Sequence, residues 1–195
     1  MNKYIKWGII AVVLIILYNF FIGTYNSLVG KEAEIEGKWA NVEAQYQRRT
    51  DLIPSLVVTV RGYANHEQET LIGVVMERAK SQSVTLNAED LTDENIAKFQ
   101  AAQQELSQGI GRLMAIGESY PELQASRNFI NLQDELAGTE NRITKVRTEF
   151  NDAVKEYNAY LKKFPRNILS GMYGFEKKAY FEAAEGSSVA PTIEF

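Results

Sequence analysis

The chain has no cysteine and a single histidine, His66, among its 195 residues. Without cysteine there is no disulfide framework, thiol nucleophile, lipid-bearing cysteine, zinc finger or iron–sulfur cluster. One histidine excludes two-histidine metal sites and paired-histidine catalysis. Proline is scarce at four residues and glycine modest at 13, so few positions interrupt a regular backbone. Charge is missing from one block, because Trp7 to Gly30 contains no Asp, Glu, Lys or Arg. The rest lacks a basic excess. With Lys3 and Lys6 set aside, 19 basic residues stand against 25 acidic ones, a balance that argues against a nucleic-acid-binding face.

The uncharged block reads WGIIAVVLIILYNFFI from Trp7 to Ile22, apolar except at Asn19. Extended to residues 5–23 it makes about 28 Å of helix, which suits the hydrocarbon core of a bilayer. A secretory signal also begins with basic residues and an apolar core, but its core is normally shorter and ends at a small-residue cleavage site. The segment GTYNSLVG after Ile22 offers no such site. The reading is therefore a retained membrane anchor over residues 1–24. It is flanked by Lys3 and Lys6 on one side, with Trp7 and Tyr25 placed as interfacial aromatics. Lys3 and Lys6 precede the span and the next basic residue after it is Lys31. By the positive-inside bias this favours a cytoplasmic N-terminus with the remainder outside.

From residue 25 onward apolar residues recur at three and four positions, the period of a helix with one buried face. The stripes are Leu28, Ile35, Trp39, Val42, Tyr46; then Ile53, Leu56, Val60, Tyr63, Leu71, Val74; then Ile96, Phe99, Leu106, Ile110, Leu113, Ile116; and finally Phe129, Leu132, Leu136, Ile143, Val146, Phe150, Val154, Tyr157, Leu161, Phe164. Pro54 lacks a backbone donor and disfavours helix at Ile53, and Asp51 is a good N-cap. A turn is therefore expected around residues 50–53, with the second helix opening near Pro54. The rival is one helix passing through Pro54, since the spacing crosses Arg49 and Ile53 without a phase error. Its length, with little to pack on, counts against it. Thr92 with Asn95 predicts a cap after a polar loop from Ser81 to Asp93, and Tyr120-Pro121 a third break. The expected fold is all-α: an N-terminal transmembrane helix followed by an antiparallel up-and-down four-helix bundle over residues 25–164. Its helices fall at about 25–49, 54–83, 92–118 and 123–163, and an aromatic tail covers 165–195. That tail is expected to cap the bundle's membrane-proximal end, or to touch the bilayer surface or a partner.

Catalytic signals are thin. Asn65-His66-Glu67 is weak support for a metal or a proton shuttle, and a helix-surface histidine is the plainer reading. No serine lies in a G-x-S-x-G motif, and Gly109 and Gly111 follow no strand, so they form no dinucleotide fingerprint. The Glu-x-x-His motifs of a di-iron bundle are absent. No cofactor, metal or small-molecule substrate is expected. Polar residues on the apolar seams say more. Arg49, Glu67 and Glu140 fall on helical seam positions, where a charge is costly unless paired. Pairing between helices that sets their register is the structural reading, and a polar binding groove the functional one.

Together these stretches resemble the LemA family of bacterial membrane proteins. The residues carrying the resemblance include Tyr25-Asn26-Ser27-Leu28-Val29, Gln47-Arg48-Arg49 with Asp51-Leu52-Ile53-Pro54, and Arg61-Gly62-Tyr63 with His66-Glu67. Further on they include Tyr120-Pro121, Gly138-Thr139-Glu140-Asn141-Arg142-Ile143, Phe150-Asn151, Phe164-Pro165 and Tyr180-Phe181. The match runs from about residue 25 to 182. The resemblance implies a single membrane helix followed by a helical bundle with no assigned catalysis. It leaves the recurrent polar motifs, Arg48, Arg49, Asp51, Pro54, Glu140, Asn141 and Arg142, as the candidates for an interaction surface or a structural motif.

The functional expectation is a non-catalytic, membrane-anchored scaffold or adaptor of the bacterial cell envelope, in the inner membrane. It would bind the bilayer through the N-terminal helix and a protein partner, or a second copy, through the bundle. A membrane-shaping or self-assembling structural protein is the alternative. A hydrolase or metal protein using His66 and Glu67 is the remaining one.

Overall fold

The computed structural model describes residues 3–182, and their regular structure is entirely helical. α1 runs Lys3–Tyr63, α2 Gln68–Ser83, α3 Asp93–Ser119, α4 Pro121–Gln124, α5 Arg127–Lys162 and α6 Arg166–Tyr173, with a 3-10 turn at Ala88–Asp90 between α2 and α3. The expected tail beyond residue 182 lies outside the described residues.

The most consequential departure from the sequence reading is at Pro54. No turn forms there; α1 continues through it for 61 residues, and the chain first reverses at residues 64–67. The expected helices 25–49 and 54–83 are therefore replaced by α1 and a shorter α2. The reason is the unbroken seam. Leu28, Ile35, Trp39, Val42, Tyr46, Arg49, Ile53, Leu56 and Val60 advance by three, four or seven residues and are all buried. Each large apolar side chain removed from water contributes on the order of 2 kcal/mol, so three such residues beyond Arg49 outweigh the roughly 3 kcal/mol cost of an interior proline. The helix also has enough to pack on. Residues 4–22 are almost wholly exposed and apolar, as a bilayer segment requires, and α5 is long enough, at 36 residues, to serve two successive stretches of α1.

Other boundaries follow local chemistry. The Thr92 hydroxyl accepts from the Asn95 backbone N–H at 3.3 Å and caps α3. Tyr120-Pro121 ends α3, and Pro121 then occupies the first turn of α4, where its missing donor is harmless.

Two compact units emerge from the contacts. Unit 1 comprises residues 1–47 and 141–178. Here α1 and the second half of α5 run antiparallel, shown by ion pairs from Lys31 to Glu156 and from Lys38 to Glu149, each 3.0 Å. Leu28, Ile35, Trp39, Val42, Ile143, Phe150, Val154, Tyr157 and Leu161 are among its buried residues, and Trp39 meets Phe150 edge to face at 5.6 Å. Unit 2 comprises residues 48–140 together with the chain from Ala179. Its core draws on the last turns of α1 (Ile53, Leu56, Val60), α2 (Leu71, Val74), α3 (Leu106, Leu113, Ile116), α4 (Leu123) and the start of α5 (Phe129, Leu136). Gly117 is required there, because a Cβ on it would lie 2.6 Å from the Phe129 ring.

Within each unit the tail is fastened by a side-chain amide that imitates strand pairing. In unit 1 Asn158 Nδ2 donates to the Lys178 carbonyl at 2.9 Å while its Oδ1 accepts from the Lys178 N–H at 3.1 Å. In unit 2 Gln100 does the same for Glu182, at 3.0 and 3.4 Å, and Phe181 is buried beside Phe99.

Candidate interaction surface

Two features of unit 2 qualify as sites: a buried polar cluster around Arg49 and an open apolar groove between the end of α1 and α2.

Arg49 is placed on the seam by its spacing from Tyr46 and Ile53, and its side chain is only 2% exposed. Nη1 donates to Ser107 Oγ at 2.8 Å and to Glu140 Oε1 at 2.9 Å; Nη2 donates to the Gln103 carbonyl at 3.2 Å and to Gln103 Oε1. A guanidinium carries five N–H donors in a fixed fork, and acceptors on two helices, α3 and α5, engage it here. Glu140 is half exposed, so its carboxylate keeps part of its hydration while compensating the buried charge. That lowers the desolvation cost that makes fully buried ion pairs a poor source of stability. The cluster thus sets the register of α1 against α3 and α5 within unit 2. Sequence reasoning missed Gln103 and Ser107. Gln103 was findable, because Ile96, Phe99, Gln103, Leu106 and Ile110 continue the three-and-four spacing.

Arg48, Asp51 and Pro54 are exposed on α1 in unit 2, whereas Asn141 and Arg142 are exposed on α5 in unit 1. Glu67 sits in the 64–67 turn, where its carboxylate accepts from the Tyr120 hydroxyl at 3.3 Å. Burial, with the nearby Glu67 charge, pushes the Tyr120 phenol above its ordinary value. His66 lies exposed in the same turn rather than on a helix surface. Among the described residues no group of three His, Asp or Glu is placed to hold a metal ion. Of the span flanks, Lys6 and Trp7 are exposed on α1, Lys3 opens that helix, and Tyr25 packs its ring against Tyr173 and Phe175 in unit 1.

The groove holds about 330 Å³ and is lined by Val57 and Arg61 from α1 and by Gln68, Leu71, Ile72, Val75 and Met76 from α2. Leu71 turns inward to the core, which leaves Ile72, Val75 and Met76 on the outward side, 48–67% exposed. Val58, 71% exposed, adds a further outward apolar residue on α1. The arrangement can take up an apolar stripe on a partner helix, with Arg61 available to a carboxylate. It offers no nucleophile or general base.

The sequence model of the LemA family matches residues 38–195, most of the chain and the whole of unit 2. The chain belongs to the LemA family. Curated relatives share shorter stretches of this LemA chain. It is 34% identical over 87 residues to magnetosome protein MamQ of Magnetospirillum gryphiswaldense, 43% of this chain and 32% of that protein. It is 36% identical over 73 residues to magnetosome proteins MamQ 1 and MamQ 2 of Paramagnetospirillum magneticum, 37% of this chain and 27% of each relative. The matched region thus spans about a third of the length of these relatives. Family and relatives, with the long apolar N-terminal helix, describe a membrane-associated protein without a named catalytic activity.

Proposed function

We propose that this LemA protein is a non-catalytic, membrane-tethered scaffold of the bacterial envelope. Residues 5–23 cross the inner membrane, and the helical bundle beyond them presents a docking face to a partner protein. The observation that carries this reading is the groove between α1 and α2. A contiguous set of aliphatic side chains left in water, rimmed by polar residues, is the usual mark of a protein-binding face. Its shape suits a helix-in-groove partner with an acidic residue opposite Arg61. The matched relatives are named for a cellular structure, the magnetosome, and for no reaction, which supports this reading.

Co-purification from mild detergent tests this, comparing the full-length chain with an Ile72→Asp/Met76→Asp variant. Both sites are exposed, so the fold tolerates the change. A specific partner recovered with the native chain and lost with the variant is the expected result. The same recovery with both would remove the groove from the proposal. Differently tagged copies in the same preparation report whether the occupant is a second copy of this chain.

A further inference from the structure

The short helix α6 carries an apolar face that its own unit leaves uncovered. Leu169 and Ser170 are buried on one side. Ile168 and Met172, four residues apart and therefore on one face, are 55% and 71% exposed on the other, and Phe164 just ahead of the helix is 80% exposed. Ile168 and Met172 thus share one outward face of α6, and Phe164 adds a third exposed apolar side chain in the turn that precedes it.

The place of this face says what covers it. Tyr173 and Phe175, at the end of α6, pack their rings on Tyr25 at 5.1 and 5.9 Å. Tyr25 stands two residues past Gly23, about 3 Å along the helix axis from the end of the apolar stretch. With residues 5–23 read as the span, the three rings fall at the depth at which aromatic residues gather in a membrane interface. Charge agrees. Residues 162–178 hold five basic residues, Lys162, Lys163, Arg166, Lys177 and Lys178, against Glu176 alone, in a chain of net charge −4. The Arg166 guanidinium lies 4.2 Å over the Tyr160 ring, and Lys178 pairs with Glu32 at 2.9 Å, while Lys162, Lys163 and Lys177 are exposed. The Asn158 amide bonds to Lys178 hold the far end of the segment to α5.

We propose that α6 is a second membrane contact, with Phe164, Ile168 and Met172 seated in the headgroup–acyl boundary of an anionic bilayer and the neighbouring lysines in its headgroups. This rests on the reading of residues 5–23 as a span and adds to it. The bundle is then held to the bilayer at two points instead of swinging from one.

The absence of cysteine makes the test direct. Single-cysteine variants Ile168→Cys, Met172→Cys, Leu14→Cys and Lys155→Cys of the full-length chain are labelled with an environment-sensitive fluorophore. They are reconstituted in vesicles of phosphatidylcholine and phosphatidylglycerol. Quenching is measured with a shallow lipid-attached nitroxide and with aqueous iodide. Probes at 168 and 172 are expected to be quenched by the lipid nitroxide and shielded from iodide, with the reverse at 155. Omitting phosphatidylglycerol should reduce lipid quenching at 168 by about two-fold or more. Iodide quenching at 168 and 172 without lipid quenching overturns the proposal. So does shielding from both quenchers, which means that protein covers the face. The probe at 14 separates the two readings: lipid quenching there leaves the span intact when the α6 contact fails, and its loss removes the span as well.

Discussion

Arg78 on α2 donates from Nε to the backbone carbonyl of Thr50 on α1, at 3.1 Å. That carbonyl is the one whose helical donor would be the N–H of residue 54, and residue 54 is proline. Arg78 therefore supplies from a neighbouring helix the hydrogen bond that Pro54 cannot make. This is how an interior proline is accommodated without leaving a polar group unmatched.

The pairing predicts coupling between positions 54 and 78. Arg78→Met keeps the aliphatic stem and removes the donor, and should lower stability by about 1–2 kcal/mol. Pro54→Ala restores the N–H and relieves the proline cost, so it should stabilise. In the Pro54→Ala background, Arg78→Met should cost about half as much or less. Urea denaturation of the four proteins in one detergent checks this, and strict additivity would refute the compensation.

Arg49 and Glu140 should respond unequally to mutation. Arg49→Ala leaves Glu140, Gln103 and Ser107 without their buried donor and opens a cavity, a loss of about 3–5 kcal/mol. Glu140→Gln keeps an acceptor at a half-exposed position and should cost about 1 kcal/mol or less. Equal costs, measured by the same unfolding assay, would show that the ion pair rather than the hydrogen-bonded fork holds the site.

Two glycines on α3 should behave oppositely. Gly117→Ala places a methyl 2.6 Å from the Phe129 ring and should destabilise by about 1–3 kcal/mol. A Cβ on Gly111 meets nothing within 4 Å, so Gly111→Ala should stabilise by about 0.5–1 kcal/mol through helix propensity. Thermal melts by circular dichroism would detect either sign.

Burial, reinforced by the negative charges of Glu32 and Glu176, pushes the Tyr157 phenol up to about 12. Unfolded, it ionises near pH 10. Between pH 10 and 12 the unfolded state therefore loses the proton that the folded state keeps, and stability falls with rising pH, by about 2 kcal/mol in all. Tyr157→Phe should abolish this slope. Its stability at neutral pH should be native or slightly higher, because the buried hydroxyl has no hydrogen-bond partner among the described residues. Unfolding free energies across that pH range decide it, and an unchanged slope in the variant would assign the effect elsewhere.

Much of the molecule was legible in its amino acids because the signals were local and periodic. The apolar run of residues 5–23, the three-and-four spacing of the seams, the Thr92 cap and the Tyr120-Pro121 break each depend on neighbours in sequence. They determine helix content, most boundaries and which residues form the apolar seams. The seam position of Arg49 likewise announced that its charge needed a partner. What happens at Pro54 was not legible, because the local preference of a proline and the non-local reward of an unbroken seam oppose one another. Only packing weighs them. The tertiary structure decided in favour of the seam, with Arg78 brought from α2 to the Thr50 carbonyl. It also decided that Ile168 and Met172 face outward while Leu169 turns in. Sequence alone determined that this chain is a helical protein with an apolar leading segment. Contacts between distant residues decided where the first helix ends and which apolar faces are left open, because exposure is a property of neighbours that the chain acquires only on folding.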